Sequence, residues 1–191
     1  ATRSVLDGVW NRDLFRGNEL HEKTVGLVGV GRLGSLVSKM MAGFDANVIG
    51  YDPRPDFPTE RATRVGSLTE LMARSDIVSI HVSYDPSTRH LVGAGEIAAM
   101  RSSAVLINTS RGGVLDEPAL LDALGGGRIA GAALDVMEGE PHASLATHPL
   151  VRYARAHDNL LLVPHIGGDT RGATRKTGSF IPQRGLRAPG G

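Results

Sequence analysis

The chain has 191 residues, 41% hydrophobic and 21% charged, with 4% aromatic residues, no cysteine and a formal net charge of +1. That length and mix suit one globular α/β domain with a sizeable core. The absence of cysteine excludes disulfides and thiolate metal sites, no apolar run approaches the roughly 20 residues of a membrane span, and the N-terminus has no signal-peptide pattern, so no membrane partner and a cytoplasmic location are expected. Charge is uneven along the chain: Arg171, Arg175, Lys176, Arg184 and Arg187 face no acid, leaving 16 basic against 20 acidic residues before them. A mildly acidic body is not that of a nucleic-acid binder.

In chain order, Val5, Val9, Trp10 and Leu14 form an amphipathic stripe, so residues 1–16 are expected to begin as a helix that covers the sheet or a partner chain. Residues 17–23 are a polar connector. Residues 24–29 are an apolar strand that runs into Gly29, Gly31 and Gly34, a G-x-G-x-x-G turn opening a helix. The first glycine permits a tight turn, the second lets the backbone approach a pyrophosphate, and the third lets helix pack on strand. The helix N-terminus would hold the phosphates. Leu33, Leu36, Val37, Met40, Met41 and Phe44 recur at helical spacing and predict one buried face. A second strand at residues 47–51 ends at Asp52, which is placed to accept hydrogen bonds from a ribose 2′-hydroxyl and to repel a 2′-phosphate. This favours NAD over NADP; Arg54, close by, softens the preference. The plainer alternative is that Asp52 starts the turn Asp-Pro-Arg-Pro.

A proline-rich loop follows, with Pro53, Pro55 and Pro58, and then Ser67 and Glu70 form a capping box for a short helix through Leu68, Leu71 and Met72. Strands are expected at residues 76–82, 104–108, 129–136 and 160–163, with helices around residues 96–100 and after Asp116, the latter ended by three glycines from Gly125. Six strands alternating with helices predict a Rossmann-type, doubly wound parallel sheet in three α/β/α layers.

In such a sheet ligands sit at the carboxyl ends of the strands. The polar residues there are Asp52, the loop from His81, Asn108 with Thr109, Ser110 and Arg111, Asp135 with Glu138 and Glu140, and His165 with Gly167 and Gly168. An arginine can hold a carboxylate with two parallel hydrogen bonds, a histidine can exchange a proton near neutral pH, and a glutamate bonded to it would orient it. Together they supply what oxidation of a 2-hydroxy acid needs. Singly, Arg111 reads as a surface charge, Glu140 as a turn residue before Pro141 and His165 as one after Pro164. His81, inside a strand pattern, reads as a buried structural histidine. His90, His142, His148 and His157 have no metal-ligand spacing, and no metal is expected.

The segments GLVGVGRLG, YDP, NTSRGGVLDEPAL, GAALDVMEGEP and VPHIGG, in that order, resemble the D-isomer-specific 2-hydroxyacid dehydrogenase family over about residues 5–170. The resemblance implies an NAD-dependent oxidoreductase, acting on a small 2-hydroxy or 2-oxo acid and forming a homodimer. It implies Arg111 as the carboxylate-binding arginine, His165 as the acid/base and Glu140 as its partner. It places Arg32 and Leu33, with Gly29, Gly31 and Gly34, at the pyrophosphate and Asp52 at the adenosine ribose. Thr109, Ser110, Arg111, Asp135, His165, Gly167 and Gly168 would surround the nicotinamide half.

The implied organisation is a lead-in over residues 1–23, an NAD-binding domain over 24–170 and a disordered, non-native tail over 171–191. The family's N-terminal substrate domain is expected to be absent. Where similar proteins carry a Pro-Leu pair, this chain has Ser83 and Tyr84. The alternative from another class is a non-catalytic NAD-binding or dimerisation module of the same family.

Overall fold

A computed structural model describes residues 2–57, 60, 62–140, 144–171 and 173. Seven strands form one sheet: β1 (Thr24–Val28), β2 (Asn47–Tyr51), β3 (Thr63–Arg64), β4 (Ile77–Ile80), β5 (Val105–Asn108), β6 (Gly131–Leu134) and β7 (Leu160–Leu162). Their order is β3-β2-β1-β4-β5-β6-β7, and every pairing is parallel. All carboxyl ends therefore share one edge, and the direction of winding reverses between β1 and β4. That reversal opens the crevice where such sheets bind ligands.

The helices are α1 (Thr2–Leu6), α2 (Arg32–Ala42), α3 (Leu68–Arg74), α4 (Ala94–Ala98), α5 (Glu117–Gly125) and α6 (Pro149–Ala156). Two caps follow the sequence closely: Ser67 Oγ accepts from the Glu70 N–H at 3.1 Å, and Asp116 Oδ1 accepts from the Ala119 N–H at 3.1 Å. Val37 and Met41 of α2 pack on one core cluster with Val25, Leu27, Val30, Phe57 and Ala62. The larger cluster takes Leu71 and Met72 of α3, Ile97 of α4, Leu120 of α5 and Leu150 of α6 onto Val78, Ile80, Leu106 and Leu134. The sheet is thus covered by helices, as the alternation of elements predicts.

Four expectations need correction. Residues 1–16 do not form one helix: α1 ends at Leu6, Gly8 turns the chain with φ +79°, and a single 3-10 turn follows at Arg12–Phe15. Its stripe stays largely exposed, Trp10 at 87% and Leu14 at 65%. Of the face that spacing suggests around α2, only Val37 and Met41 pack inward. Gly34 and Ser38 are buried, whereas Leu33, Leu36, Met40 and Phe44 are exposed. A Cβ on Gly34 would lie 2.2 Å from the Gly29 carbonyl oxygen, and this close approach sets the rotation of the helix, turning the large residues outward. The sheet has a seventh strand, β3, whose two exposed residues carry no periodic signal, and α6 was also unanticipated.

The expectation of a disordered tail falls, apart from Arg171 and Ala173, outside the described residues. Among the described residues no helix is long and apolar enough to cross a membrane.

Candidate active site

The glycine turn leaves β1 at Gly29, whose φ of +89° is open to glycine and whose N–H donates to the Tyr51 carbonyl at 2.8 Å. Gly31 is the residue before α2; Arg32, Leu33 and Gly34 are its first turn. Above Gly31 the space is open: only the Arg54 guanidinium comes within 4 Å of where its Cβ would be, at 3.8 Å.

Asp52, at the end of β2, is buried. Its Oδ2 accepts from the Val30 N–H at 3.0 Å and from Arg54 Nη2 at 3.0 Å, and its Oδ1 from Arg54 Nε at 3.0 Å. Burial disfavours its charge, but the hydrogen bonds from Arg54 and from the Val30 N–H outweigh it and hold the carboxyl below the usual range. A carboxylate offers about four acceptor positions. With the Arg54 N–H at 3.1 Å also on Oδ1, Arg54 takes three of them, so a ribose hydroxyl must compete with this arginine.

His81 follows β4 and is half-buried rather than buried. Its Nε2 lies 2.9 Å from Ser79 Oγ, and burial pushes its imidazole down from the ordinary histidine range.

At the end of β5, Asn108 is fully buried and shapes the next loop. Its Nδ2 donates to the Arg111 carbonyl at 3.0 Å, and its Oδ1 accepts from the Ser110 N–H at 3.0 Å and Ser110 Oγ at 2.9 Å. Thr109 and Arg111 are exposed at the edge. Gly112 then lies backbone against backbone on the loop after β6. A Cβ there would stand 2.0 Å from the Met137 carbonyl carbon and 2.2 Å from the Glu138 nitrogen.

Asp135 directly follows β6 and anchors the loop that follows β7. Its two carboxylate oxygens accept from the Ile166 N–H at 2.8 Å and the Gly167 N–H at 2.9 Å, and its carbonyl accepts from the His165 N–H at 2.8 Å. His165 is held with φ +53°. Its Nδ1 lies 2.8 Å from Glu140 Oε2, while the Met137 N–H donates to Glu140 Oε1. The carboxylate is thus fixed on both sides, which fixes the ring and leaves Nε2 facing outward from the pair.

The loop carrying Glu140 is pinned from beneath. Buried Glu117, in the first turn of α5, accepts from the Glu138 N–H at 2.6 Å, and its other oxygen lies 3.6 Å from His148 Nε2. The Glu138 side chain meets His90 Nε2 at 3.0 Å and Arg89 Nη2 at 3.3 Å.

Arg111, Gly112, Gly113, Glu138, Glu140 and His165 come together around one cavity of about 440 Å³, with Tyr84 on its wall. Gly167 and Gly168 continue from His165. The glycine turn and Asp52 stand apart from this cavity, across β4, at the ends of β1 and β2. Between the ends of β2 and β6 lie four strand spacings, roughly 19 Å.

Sequence reasoning missed Glu117 and His90, because each acts on a loop far along the chain. It noted Tyr84 only as a departure in the loop after β4. The signal that could have found Tyr84 is the strand-end rule itself, since this loop belongs to the set.

Residues 1–167 match the sequence profile of the NAD binding domain of D-isomer specific 2-hydroxyacid dehydrogenases. The chain is 40% identical over 189 residues to the D-3-phosphoglycerate dehydrogenase of Methanocaldococcus jannaschii, covering 96% of this chain and 34% of the relative. It is 38% identical over 187 residues to the hydroxypyruvate reductase of Thermotoga maritima, covering 96% and 58%. The fold matches the NAD-complexed D-isomer specific 2-hydroxyacid dehydrogenase from Lactobacillus delbrueckii ssp. bulgaricus with a TM-score of 0.78 and 34% identity, over 91% of this chain and 55% of that one. The chain therefore spans between a third and somewhat over half the length of the relatives it matches.

Proposed function

The chain belongs to the D-isomer specific 2-hydroxyacid dehydrogenase family, matching its NAD binding domain, and on that premise we propose that it binds NAD and takes part in hydride exchange between this cofactor and a D-2-hydroxy acid. The observation that carries the reading is the His165–Glu140 pair at 2.8 Å in one cavity with Arg111.

The residues suit a dinucleotide: the backbone at Gly31 is open, and Gly34 packs where no side chain would fit. Gly29, Gly31, Arg32, Leu33 and Gly34 would hold the pyrophosphate, and Asp52 the adenosine ribose. Thr109 and Ser110, on the loop that Asn108 shapes, and Gly167 and Gly168, on the loop that Asp135 anchors, would border the nicotinamide. When bound, the nicotinamide supplies the hydride acceptor. In the substrate cavity Arg111 pairs with the carboxylate. His165 Nε2 takes the proton of the C2 hydroxyl during oxidation and returns it during reduction, while Glu140 holds the ring and balances its charge.

We further read the protein as a cytoplasmic homodimer. Support for dimerisation is the exposed apolar surface of Leu36 and Met40 on α2 and of Phe44 just after it, together with Trp10. Light scattering that stays monomeric across micromolar concentrations contradicts it.

The activity is tested by following NADH oxidation with glyoxylate, pyruvate and hydroxypyruvate. Reduction of at least one, abolished by removing Arg111, is expected; binding of NADH with no reduction of any favours the non-catalytic reading.

Arg54 gives a separate prediction. Arg54→Ala removes the competitor for Asp52 and the cation closest to a 2′-phosphate. The preference for NADH over NADPH is expected to rise about tenfold, one charge-assisted hydrogen bond in magnitude. Parallel fluorescence titrations check it, and an unchanged ratio refutes it.

A further inference from the structure

The proposed proton transfer depends on Glu140 staying against His165 Nδ1, yet the two residues stand on different loops. The loop of His165 has its own anchor in buried Asp135, which accepts the Ile166 and Gly167 amides. The loop of Glu140 is built differently. Among the described residues, no backbone hydrogen bond ties residues 136–140 to main chain outside them. Side chains hold this loop instead, together with the wedge of Gly112 against Met137 and Glu138.

One of those side chains takes hold of the loop's main chain. Glu117, 8% exposed, accepts the Glu138 N–H at 2.6 Å. Its second oxygen lies 3.6 Å from Nε2 of His148, the residue before α6, so the carboxyl is bordered on both sides. Glu117 also stands just past Arg111 in the chain, on a segment fixed by two backbone bonds. The Leu115 N–H donates to the Gly112 carbonyl at 3.0 Å, and the Asp116 N–H to the Val92 carbonyl at 3.0 Å. One carboxyl therefore joins the segment that carries Arg111 to the loop that carries Glu140.

From Glu138 the chain reaches Glu140 through Gly139, whose φ is +79°. Glu140 then turns back, with one oxygen on the Met137 N–H and the other on His165. A shift of the Glu138 main chain thus moves both ends of the turn that aims Glu140. We infer that Glu117 is a positioning residue for the acid/base pair: by holding the Glu138 amide it keeps Glu140 on His165 Nδ1, which leaves Nε2 for the substrate. The inference rests on the reading of Glu140 and His165 given above. A carboxylate only accepts, so the neutral ring in this arrangement carries its proton on Nδ1.

Two conservative variants separate this role from a merely structural one. Glu117→Asp keeps the carboxyl but is one methylene too short to reach the Glu138 amide. Glu117→Gln loses the charge but keeps the length and an oxygen that accepts. The ring nitrogens of His165 are followed by ¹⁵N NMR at neutral pH, assigned by their loss in His165→Asn. The Ile166 and Gly167 amides report whether the fold is kept. Wild type and Glu117→Gln are expected to show the single Nδ1–H form, and Glu117→Asp to lose it to a mixture of both forms. Where an oxo acid is reduced, Glu117→Asp is expected to lower kcat about tenfold and Glu117→Gln to keep it within about twofold, as for a small misplacement of a reacting group.

A wild-type His165 spectrum in Glu117→Asp, or the same loss in both variants, overturns the inference. Unfolding of either variant assigns Glu117 to the fold rather than to the site and overturns it as well. The expected spectra in a chain that reduces no oxo acid support the positioning and remove only the dehydrogenase reading. Absence of the Nδ1–H form from wild type removes the pair itself, and the inference with it.

Discussion

His165→Asn is expected to slow hydride transfer by about 10²–10⁴-fold, the usual contribution of a positioned acid/base group, with little change in NADH affinity. Asparagine is the informative choice because of the backbone. His165 has φ +53°, a left-handed conformation that asparagine tolerates better than most residues. The loop should therefore stay anchored through the Ile166 and Gly167 amides on Asp135. What is lost is the ring, whose Nδ1 sits 2.8 Å from Glu140 and whose Nε2 is free to exchange a proton. Glu140→Gln should cost less, about 10–100-fold, because it keeps a polar partner for the ring but not the charge. Initial rates of NADH oxidation, with fluorescence titration of NADH on each variant, separate chemistry from binding. A loss of NADH affinity that accounts for the whole rate effect contradicts an acid/base role.

Gly112→Ala should be the most damaging small substitution near the site. The added Cβ meets backbone, not flexible side chain: the Met137 carbonyl carbon and oxygen at 2.0 and 2.2 Å and the Glu138 nitrogen at 2.2 Å. Relief requires the loop after β5 to separate from the loop after β6. The first carries Arg111 and the second Glu140, so the cavity loses its geometry as well as its packing. Overpacking of this kind costs about 1–3 kcal/mol. That corresponds to a fall of roughly 2–12 °C in Tm for a domain of this size. Thermal unfolding followed by circular dichroism measures the first effect. The second appears as weaker binding of hydroxy acid, while the glycine turn and Asp52, which lie across β4, stay in place. An alanine variant with wild-type Tm and wild-type hydroxy-acid affinity contradicts this contact.

The parts legible in the sequence are those whose chemistry sits next to a strand end. The glycines at 29, 31 and 34 announce a turn because their spacing has a mechanical cause, and the structure shows it in the approach of Gly34 to the Gly29 carbonyl. The alternation of strands and helices gave the parallel sheet for the same reason. That same approach of Gly34 misled the reading of α2, however. Spacing alone selects the largest apolar residues for the core, whereas here the buried face is the one whose small residues let the helix come close, Gly34 and Ser38. Strand β3 was illegible because two exposed residues paired to β2 have no pattern to read.

Within the site, Arg111, Glu140 and His165 could be collected from order along the chain, but not the way they are held. Glu117 accepts from an amide 21 residues away, and His90 meets a side chain 48 residues away. Asp135 is similar: the sequence places it near the nicotinamide, and the geometry gives it a supporting task, with both oxygens on the loop of His165. Such contacts depend on which loops fold together, and no local spacing encodes them.

The most direct test of the account is a calorimetric titration of the chain with NADH and, separately, with NADPH, repeated on Asp52→Ala. The account predicts that NADH binds, that NADPH binds at least about tenfold more weakly, and that the alanine variant narrows the gap, since it removes the carboxylate proposed to face the ribose. Binding of neither cofactor, or equal binding of both in wild type and variant, would contradict it.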